Sequence, residues 1–410
     1  MKNTSPAPLS LSQILICGGL IVTLSMGVRH GFGLWLQPIT QEHGWTRETF
    51  AFAIAIQNIA WGVIGVLAGI ASDRFGPLRV LLVGSVLYAL GLAGMALAPT
   101  PTMLALTTGV LIGAAQAGTT YAVIFGIIGR QVEASKRSWA MGMAAAAGSF
   151  GQFAMVPLEG LLISRLGWQQ ALFVLAGLAL LIMPLALRLR EPTPASGQAA
   201  QKSQSLSQAI KEAMTYPSFL LLTAGYFVCG FQVVFIGVHM PAYLKDKGLD
   251  PQVASYALAL IGLFNVFGTY VAGTLAQRIA KRKILAFIYI ARAVVISIFL
   301  MAPISATSVY IFSAVMGLLW LSTVPVTNAS VAQIFGVAHL SMLSGFVFFS
   351  HQIGSFLGVW LGGLLYDQTG SYNIVWYLSI ALGVIAALLN LPVREAPLVR
   401  PESKLVAQPL

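Results

Sequence analysis

Six ionisable side chains stand inside apolar stretches of this chain: Arg29, His30, Glu159, His239, Arg292 and His351. Placing an Arg at the centre of a membrane helix costs about 2.5–3.5 kcal/mol on insertion scales, so such groups persist where they face a wet cavity, a partner or a bound ion. The chemistry they offer is anion capture and proton exchange. A guanidinium presents a planar fork to a carboxylate, and imidazole is the side chain whose charge changes most readily at cellular pH.

Arg29 is the leading candidate for holding an anion, with a clamp onto backbone carbonyls or onto Glu159 as the competing reading. His30 projects about 100° further round the same helix, so one of the two is expected to line a cavity while the other packs. His351 lies mid-segment beside Gln352 and is the candidate for proton coupling. Its competing reading is a neutral imidazole bonded to Ser350 or Gln352. Arg292 reads as snorkelling or pairing at the bundle's edge, and Glu159 and His239 as contacts near the ends of their segments. Gln57, Asn58, Tyr121, Gln152, Asn265, Trp320 and Asn328 are polar or aromatic residues at mid-depth. Of these, Tyr121, Gln152, Asn265 and Asn328 join Arg29, His30, His351 and Gln352 as the expected substrate-binding set.

Composition names the scaffold that must position them. With 57% hydrophobic residues, 9% charged residues and a mean hydropathy of +0.83, the chain cannot be wrapped as a water-soluble globule. A bilayer core of about 30 Å asks for roughly 20 apolar residues per helix, because lipid offers the backbone no partners. Twelve such segments fall at 11–39, 49–72, 78–98, 102–129, 138–163, 169–188, 217–244, 251–277, 284–303, 307–335, 340–365 and 371–391. Short Gly, Pro and Thr connections make neighbouring segments antiparallel. The one long connection, 189–216, carries Pro192, Pro194, Gly197 and Gln201 and reads as a flexible linker. The expected architecture is therefore an all-α membrane protein whose twelve transmembrane helices form two pseudo-symmetric six-helix bundles. Residues 1–188 and 217–393 form the bundles, 189–216 the linker and 394–410 a tail.

Arg74, Arg79, Arg130, Lys136, Arg137, Arg188, Lys281, Arg282 and Lys283 gather in alternate loops, which the positive-inside rule places in the cytoplasm together with both termini. A cytoplasmic membrane location is expected. The net charge of +11 is then a matter of topology, and basic residues scattered through turns argue against a nucleic-acid partner. The first segment is too long for a signal peptide and is expected to stay as a helix. Cys17 and Cys229 are expected to pack within their segments. No Walker loop and no His/Cys cluster with ligand spacing is present, so neither ATP, metal, other cofactor nor enzymatic activity is expected. Trp35, Trp45, Trp168 and Tyr372 lie near segment ends, where rings anchor at the headgroups.

The chain also repeats itself. Gly69-Ile-Ala-Ser-Asp-Arg-Phe-Gly-Pro-Leu-Arg79 is echoed by Gly273-Thr-Leu-Ala-Gln-Arg-Ile-Ala-Lys-Arg-Lys283, and the same register sets Gly33 on Gly237 and Gly44-Trp45 on Gly248-Leu249. The duplication covers half-proteins. The Gly-x-x-x-Asp-Arg-Phe-Gly-x-x-Arg loop resembles the signature of the major facilitator superfamily. That resemblance implies secondary transport by a monomer in which two bundles rock about a midplane site. It also implies a conformational latch built from Gly69, Asp73, Arg74, Gly76 and Arg79. Gln277 stands where the second copy would carry an acid.

Residues 148–160, with Pro157 and Glu159, followed by Leu166-Gly-Trp168, are similar to the fifth helix of the monocarboxylate and oxalate/formate branch of that family. The passage 31–50 points the same way, with Thr46 as a helix N-cap. Asn265 and Thr269 replace an Asp and an Arg of animal monocarboxylate carriers, and His351 replaces a Lys of oxalate/formate antiporters, which makes a dianion a poorer fit. The resemblance implies transport of a small organic anion, a monocarboxylate with a proton in symport. Proton-coupled efflux of a drug or amphipathic metabolite, and anion exchange, are the alternatives.

Overall fold

A backbone in lipid has no partner but itself, and the apolar segments accordingly coil into helices. The computed structural model describes residues 9–190, 206–336 and 340–398. Among them twelve helices are long and apolar enough to cross a membrane: α1 (Leu11–His43), α2 (Arg47–Ser72), α3 (Pro77–Ala96), α4 (Pro101–Gln131), α5 (Trp139–Leu166), α6 (Trp168–Leu187), α7 (Pro217–Asp246), α8 (Pro251–Leu275), α9 (Lys281–Met301), α10 (Ala306–Phe335), α11 (Met342–Thr369) and α12 (Asn373–Asn390). Two hydrophobic cores form, one within α1–α6 and one within α7–α12. Val234 and Val238 of α7 and Val359 of α11 reach into the first core, and Val156 of α5 reaches into the second.

The duplication is visible in the backbone. Gly44 (φ +67°) and Gly248 (φ +82°) both close a helix in the left-handed region open to glycine. The next residue then bonds back in the same way each time, Trp45 N to Thr40 O at 2.9 Å and Leu249 N to Leu244 O at 3.1 Å. Side chains repeat as well. The register that sets Gly33 on Gly237 sets Ser25 on Cys229, Thr119 on Thr323 and Tyr88 on Arg292. Ser25 Oγ meets Thr119 Oγ1 at 2.8 Å, and Cys229 Sγ meets Thr323 Oγ1 at 3.2 Å. Tyr88 donates to the Ser25 carbonyl and Arg292 to Cys229 Sγ. Gly33 and Gly237 touch each other, since a Cβ on Gly33 would collide with the Gly237 and Val238 carbonyls. The local pseudo-twofold axis therefore passes near that contact.

Both bundles contain interrupted helices. α1 stops at His30, turns through Phe32–Trp35 and resumes at Leu36. α4 is broken at Thr120 (φ −107°, ψ −158°) and α10 between Leu319 and Thr323. These last two breaks are equivalent in the two halves, and broken segments in corresponding places point to where a transporter binds its cargo.

The face carrying the described chain ends is here called the terminal face, and the other the far face. Cross-bundle contacts concentrate between the far face and the midplane. Arg47 forks onto Asp246 at 2.7 Å through both Nη atoms, the one ion pair among the described residues. Gln37 donates to Asp246 at 3.0 Å, and the Arg47 guanidinium also lies 3.7 Å from the Tyr366 ring. Asp367 of α11 accepts from the backbone N–H groups of Arg47 and Glu48, placing an anion on the N-terminus of α2, where the helix dipole favours it. Burial pushes the Tyr372 phenol upward, and the adjoining Arg47 guanidinium opposes that shift. Deeper, Gly363 packs on Ala51, Gly62 on Phe349 and Gln352, and Gly262 on Gln152. Past the midplane Gly65, Gly69, Gly142 and Gly345 face open space. The protein is closed toward its far face.

Asp246→Asn is expected to weaken this seal by about 1–2 kcal/mol, roughly a tenfold shift toward the far-side-open population. Distances between spin labels on the far ends of α1 and α7 would report it, and an unchanged distribution would show that the ion pair is incidental.

Two expectations change on contact with the structure. Part of the linker, Leu206–Thr215, is a helix, because Ala209 and Ala213, four residues apart, bury one face. Trp35, Trp168 and Tyr372 are buried in protein and not set against headgroups. Their rings fill the joint between far-face helix ends, where Trp35 Nε1 donates to the Trp168 carbonyl and Trp168 Nε1 to Glu42. The second signature copy turns through Ala280 (φ −53°), without the left-handed glycine that Gly76 (φ +85°) supplies in the first. Thr46 does cap α2, accepting from Thr49 N at 3.3 Å.

Candidate functional site

Arg29 belongs to the last helical turn before the break of α1 at Gly31. Its Nη1 donates to Gln57 Oε1 (3.3 Å) and Gln116 Oε1 (3.1 Å), and its Nη2 to Asn58 Oδ1 (2.7 Å). The guanidinium carbon sits 4.4 Å from the centroid of the Trp61 ring. Every one of these partners is neutral. Three amide oxygens and an aromatic face orient the cation without discharging it, and two of its five N–H groups, on Nε and Nη2, are left over. The clamp onto Glu159 does not form: that carboxyl lies against Gly31 instead.

Arg29 opens onto a cavity of about 40 Å³ between the bundles. His30, Gln57 and Gln152 supply the rest of its polar wall, and Phe32, Ile54, Val233, Val234, Val238 and Trp320 supply the apolar one. Arg29 and His30 both face it, although they are consecutive. The cavity wraps the end of the helix where α1 breaks, so two directions of projection reach the same space.

A hydrogen-bonded path leads from Arg29 into the second bundle. Gln352 Nε2 donates to the Asn58 carbonyl (3.0 Å), and His351 Nδ1 lies 3.2 Å from Gln352 Oε1 and 3.4 Å from Ser355 Oγ. The His351 ring is buried between Phe348, stacked at 5.9 Å, and Tyr226 at 5.0 Å. Asn58 thus touches Arg29 with its side chain and Gln352 with its backbone.

The remaining expected residues take other places. Gln152 lines the cavity while its Nε2 donates to the Leu258 carbonyl, joining α5 to α8. Asn265 donates to Ser149 Oγ (2.9 Å) and accepts from Leu321 N (2.9 Å), tying α5 and α8 to the α10 break. Tyr121 packs its hydroxyl against Gly148, and Asn328 bonds back to the Val324 carbonyl within its own helix. His239 bridges the Val359 carbonyl (2.7 Å) and Tyr372 Oη (3.2 Å). Arg292 does not snorkel. It is fully buried and clamps the Leu319 and Trp320 carbonyls and Gln232. Gly69, Arg74, Gly76 and Arg79 lie at the terminal face with both arginines exposed, and the side chain of Asp73 is outside the described residues. Sequence reasoning missed Gln116 and Trp61. Gln116 was findable as a lone amide in a Gly/Ala run. Trp61 had no such signal. Among the described residues no His, Cys, Asp and Glu side chains cluster to hold a metal ion.

The family model described as "Major Facilitator Superfamily" matches residues 15–325 and 225–408, the two matches overlapping in the middle. The chain belongs to the major facilitator superfamily. It is a transporter, not an enzyme. The uncharacterized MFS-type transporter YcxA of Bacillus subtilis is 23% identical over 374 residues, covering 88% of this chain and 90% of its own length. Monocarboxylate transporter 13 of Rattus norvegicus is 26% identical over 382 residues, covering 90% and 86%. Among solved structures, a bacterial homolog of the human lysosomal transporter Spinster, inward-facing and unoccupied, superimposes with a TM-score of 0.74 at 15% identity over 95% of this chain and 99% of that one. A D-xylose–proton symporter gives 0.71 at 17% identity over 94% and 98%. In this chain Arg29 lines the cavity between the two bundles.

Proposed function

We propose that this major facilitator moves a small organic monoanion, a monocarboxylate, across the cytoplasmic membrane together with a proton, by alternating access. The observation carrying this reading is the Arg29 guanidinium: oriented by neutral amides, charged, cavity-facing and with two donors unspent. A carboxylate supplies the missing countercharge through a two-point hydrogen bond, and its apolar part meets Val233, Val234 and Val238. The size of the cavity supports a small cargo, since drug-sized ligands fill roughly 300–1,000 Å³ and this one measures about 40 Å³. The monocarboxylate transporters among the relatives favour the same cargo.

In this reading the terminal face is cytoplasmic, as the Lys and Arg distribution implies, and the structure is inward-facing. His351 takes the co-transported proton. An anion drawing on Arg29 perturbs Asn58 and Gln352, and through them His351, so that proton and substrate bind with mutual reinforcement. His30, Gln152 and Gln352 complete the substrate contacts. Tyr121, Asn265 and Asn328 enter the cavity wall only as the bundles rock, and Gly69, Asp73, Arg74, Gly76 and Arg79 latch the cytoplasmic side when it closes. Transport by a monomer suffices, because one chain contains both halves of the site.

Purified protein in liposomes loaded with a pH indicator tests this. Lactate, pyruvate, hydroxybutyrate and benzoate are added outside, with protein-free vesicles as the control for passive acid entry. Saturable, protein-dependent acidification by one of these acids is the expected result, and His351→Gln should flatten its pH dependence. No acidification above control for any acid would move the reading to proton-driven efflux.

A further inference from the structure

Glu159 is fully buried in α5, and neither of its carboxyl oxygens has a hydrogen-bonding partner among the described residues. One oxygen occupies the space that a Cβ on Gly31 would need, at the break of α1. An unpaired carboxylate in such a place is prohibitive, whereas the neutral acid is tolerated. The end of the Leu11–His30 helix, with its partial negative charge, adds to the bias against an anion.

Among the described residues no cation bonds to it. On α1, Arg29 turns its guanidinium to Gln57, Asn58 and Gln116, and His30 lines the cavity. On α3, Tyr88 is the ionisable side chain whose electrostatics include Glu159, and its hydroxyl donates to the Ser25 carbonyl. On α8, the residue against adjoining Gly160 is Ser255, and Tyr256 beside it is exposed. The paired segment of α6, Trp168–Leu180, has no ionisable residue.

What surrounds the carboxyl is the far-side seal. One residue along α5, Gly160 packs on Ser255 of the second bundle, and two residues beyond Gly31, Gly33 packs on the Gly237 and Val238 carbonyls. Both contacts join the two bundles, and both must part when the far side opens. We propose that Glu159 is a proton-binding site that governs the far-side seal: occupied while the seal is shut, and free to ionise once the Gly160–Ser255 and Gly33–Gly237 contacts separate. On opening, the acid O–H bond breaks, the proton passes to water of the far compartment and a hydrated carboxylate remains. Closure reverses the step. The closed form binds the extra proton, so acid favours closure and alkali favours opening. This stands apart from the choice of cargo and from His351, because no substrate is needed to observe it.

The test uses full-length protein in lipid vesicles without substrate, carrying spin labels at Gln41→Cys and Lys247→Cys, exposed residues on the far face, with Cys17→Ala and Cys229→Ser. In this background, raising pH is expected to move the population from short to long distances, with a limiting slope of about tenfold in the open-to-closed ratio per pH unit. Glu159→Gln should abolish that dependence and remain closed. The infrared carbonyl band of a protonated acid should appear in the wild type at neutral pH and vanish in the variant. An unchanged pH response in Glu159→Gln, or no such band in the wild type, overturns the proposal. Glu159→Met provides a second variant that does not depend on amide geometry. A partnerless acid predicts melting no lower than wild type, and a clear loss of stability would show that the carboxyl is bonded in the fold and sink the idea.

Discussion

Replacing Arg29 by glutamine is expected to lower carboxylate transport by roughly 100-fold, the consequence of losing about 3 kcal/mol from a desolvated, charge-assisted pair. Protein stability should change little. The three amides that receive Arg29 are held in place through their nitrogens: Gln57 Nε2 donates to the Thr108 carbonyl, Asn58 Nδ2 to the Ile54 carbonyl, and Gln116 Nε2 to Gln57 Oε1. A glutamine at position 29 is one more amide among amides. Arg29→Lys separates charge from shape. It keeps the cation but gives up the fork and the planar contact with Trp61, so a loss of about tenfold is expected. Initial uptake rates over a range of substrate concentrations decide between the outcomes, and wild-type rates in Arg29→Lys would exclude two-point carboxylate recognition.

The bilayer made much of this fold readable. Apolar runs of about 20 residues have one stable solution in lipid, so the spans follow from length and composition, and the repeated glycines at 33/237 and 44/248 disclosed the duplication. The side-chain echo of Ser25, Tyr88 and Thr119 in Cys229, Arg292 and Thr323 was hidden, because two of the three residue types had changed and a lone unchanged threonine carries no signal. Trp35 and Tyr372 were placed by position at segment ends, where an aromatic ring suits either a headgroup or a packed joint. Periodicity alone does not separate the two. The helix at Leu206–Thr215 was masked by the polar composition that precedes it. At the site, the insertion cost of a buried Arg singled out Arg29. Its acceptors on α2 and α4 are tertiary neighbours, and no local pattern announces which amides a guanidinium will reach.

The second large effect concerns the fully buried arginine, Arg292. Arg292→Met is expected to destabilise the protein by about 3 kcal/mol or more, measured as a lowered melting temperature in detergent. The comparison with Arg29 shows why. Arg292 spends Nε and Nη2 on the Leu319 carbonyl, Nη2 on the Trp320 carbonyl and Nη1 on Gln232. Two of these acceptors are the final carbonyls of the Ala306–Leu319 helix and the break that follows, groups with no intrahelical partner. Removing the guanidinium leaves them buried and unsatisfied in a fully enclosed place, at about 1–3 kcal/mol for each orphaned group. Lysine cannot repair the loss, since an ammonium lacks the fork needed to reach Gln232 and the α10 break together. In the other half, Tyr88 occupies the equivalent position, where its hydroxyl donates to the Ser25 carbonyl, and α4 breaks at Thr120. The duplicated scaffold has therefore placed its half-buried and its fully buried arginine differently. The one on α9 is consumed by the backbone of a broken helix, and the one on α1 is held by neutral amides with donors to spare. If Arg292→Met melted like wild type while Arg29→Gln collapsed, this division of labour would be reversed, and Arg29 would be the clamp.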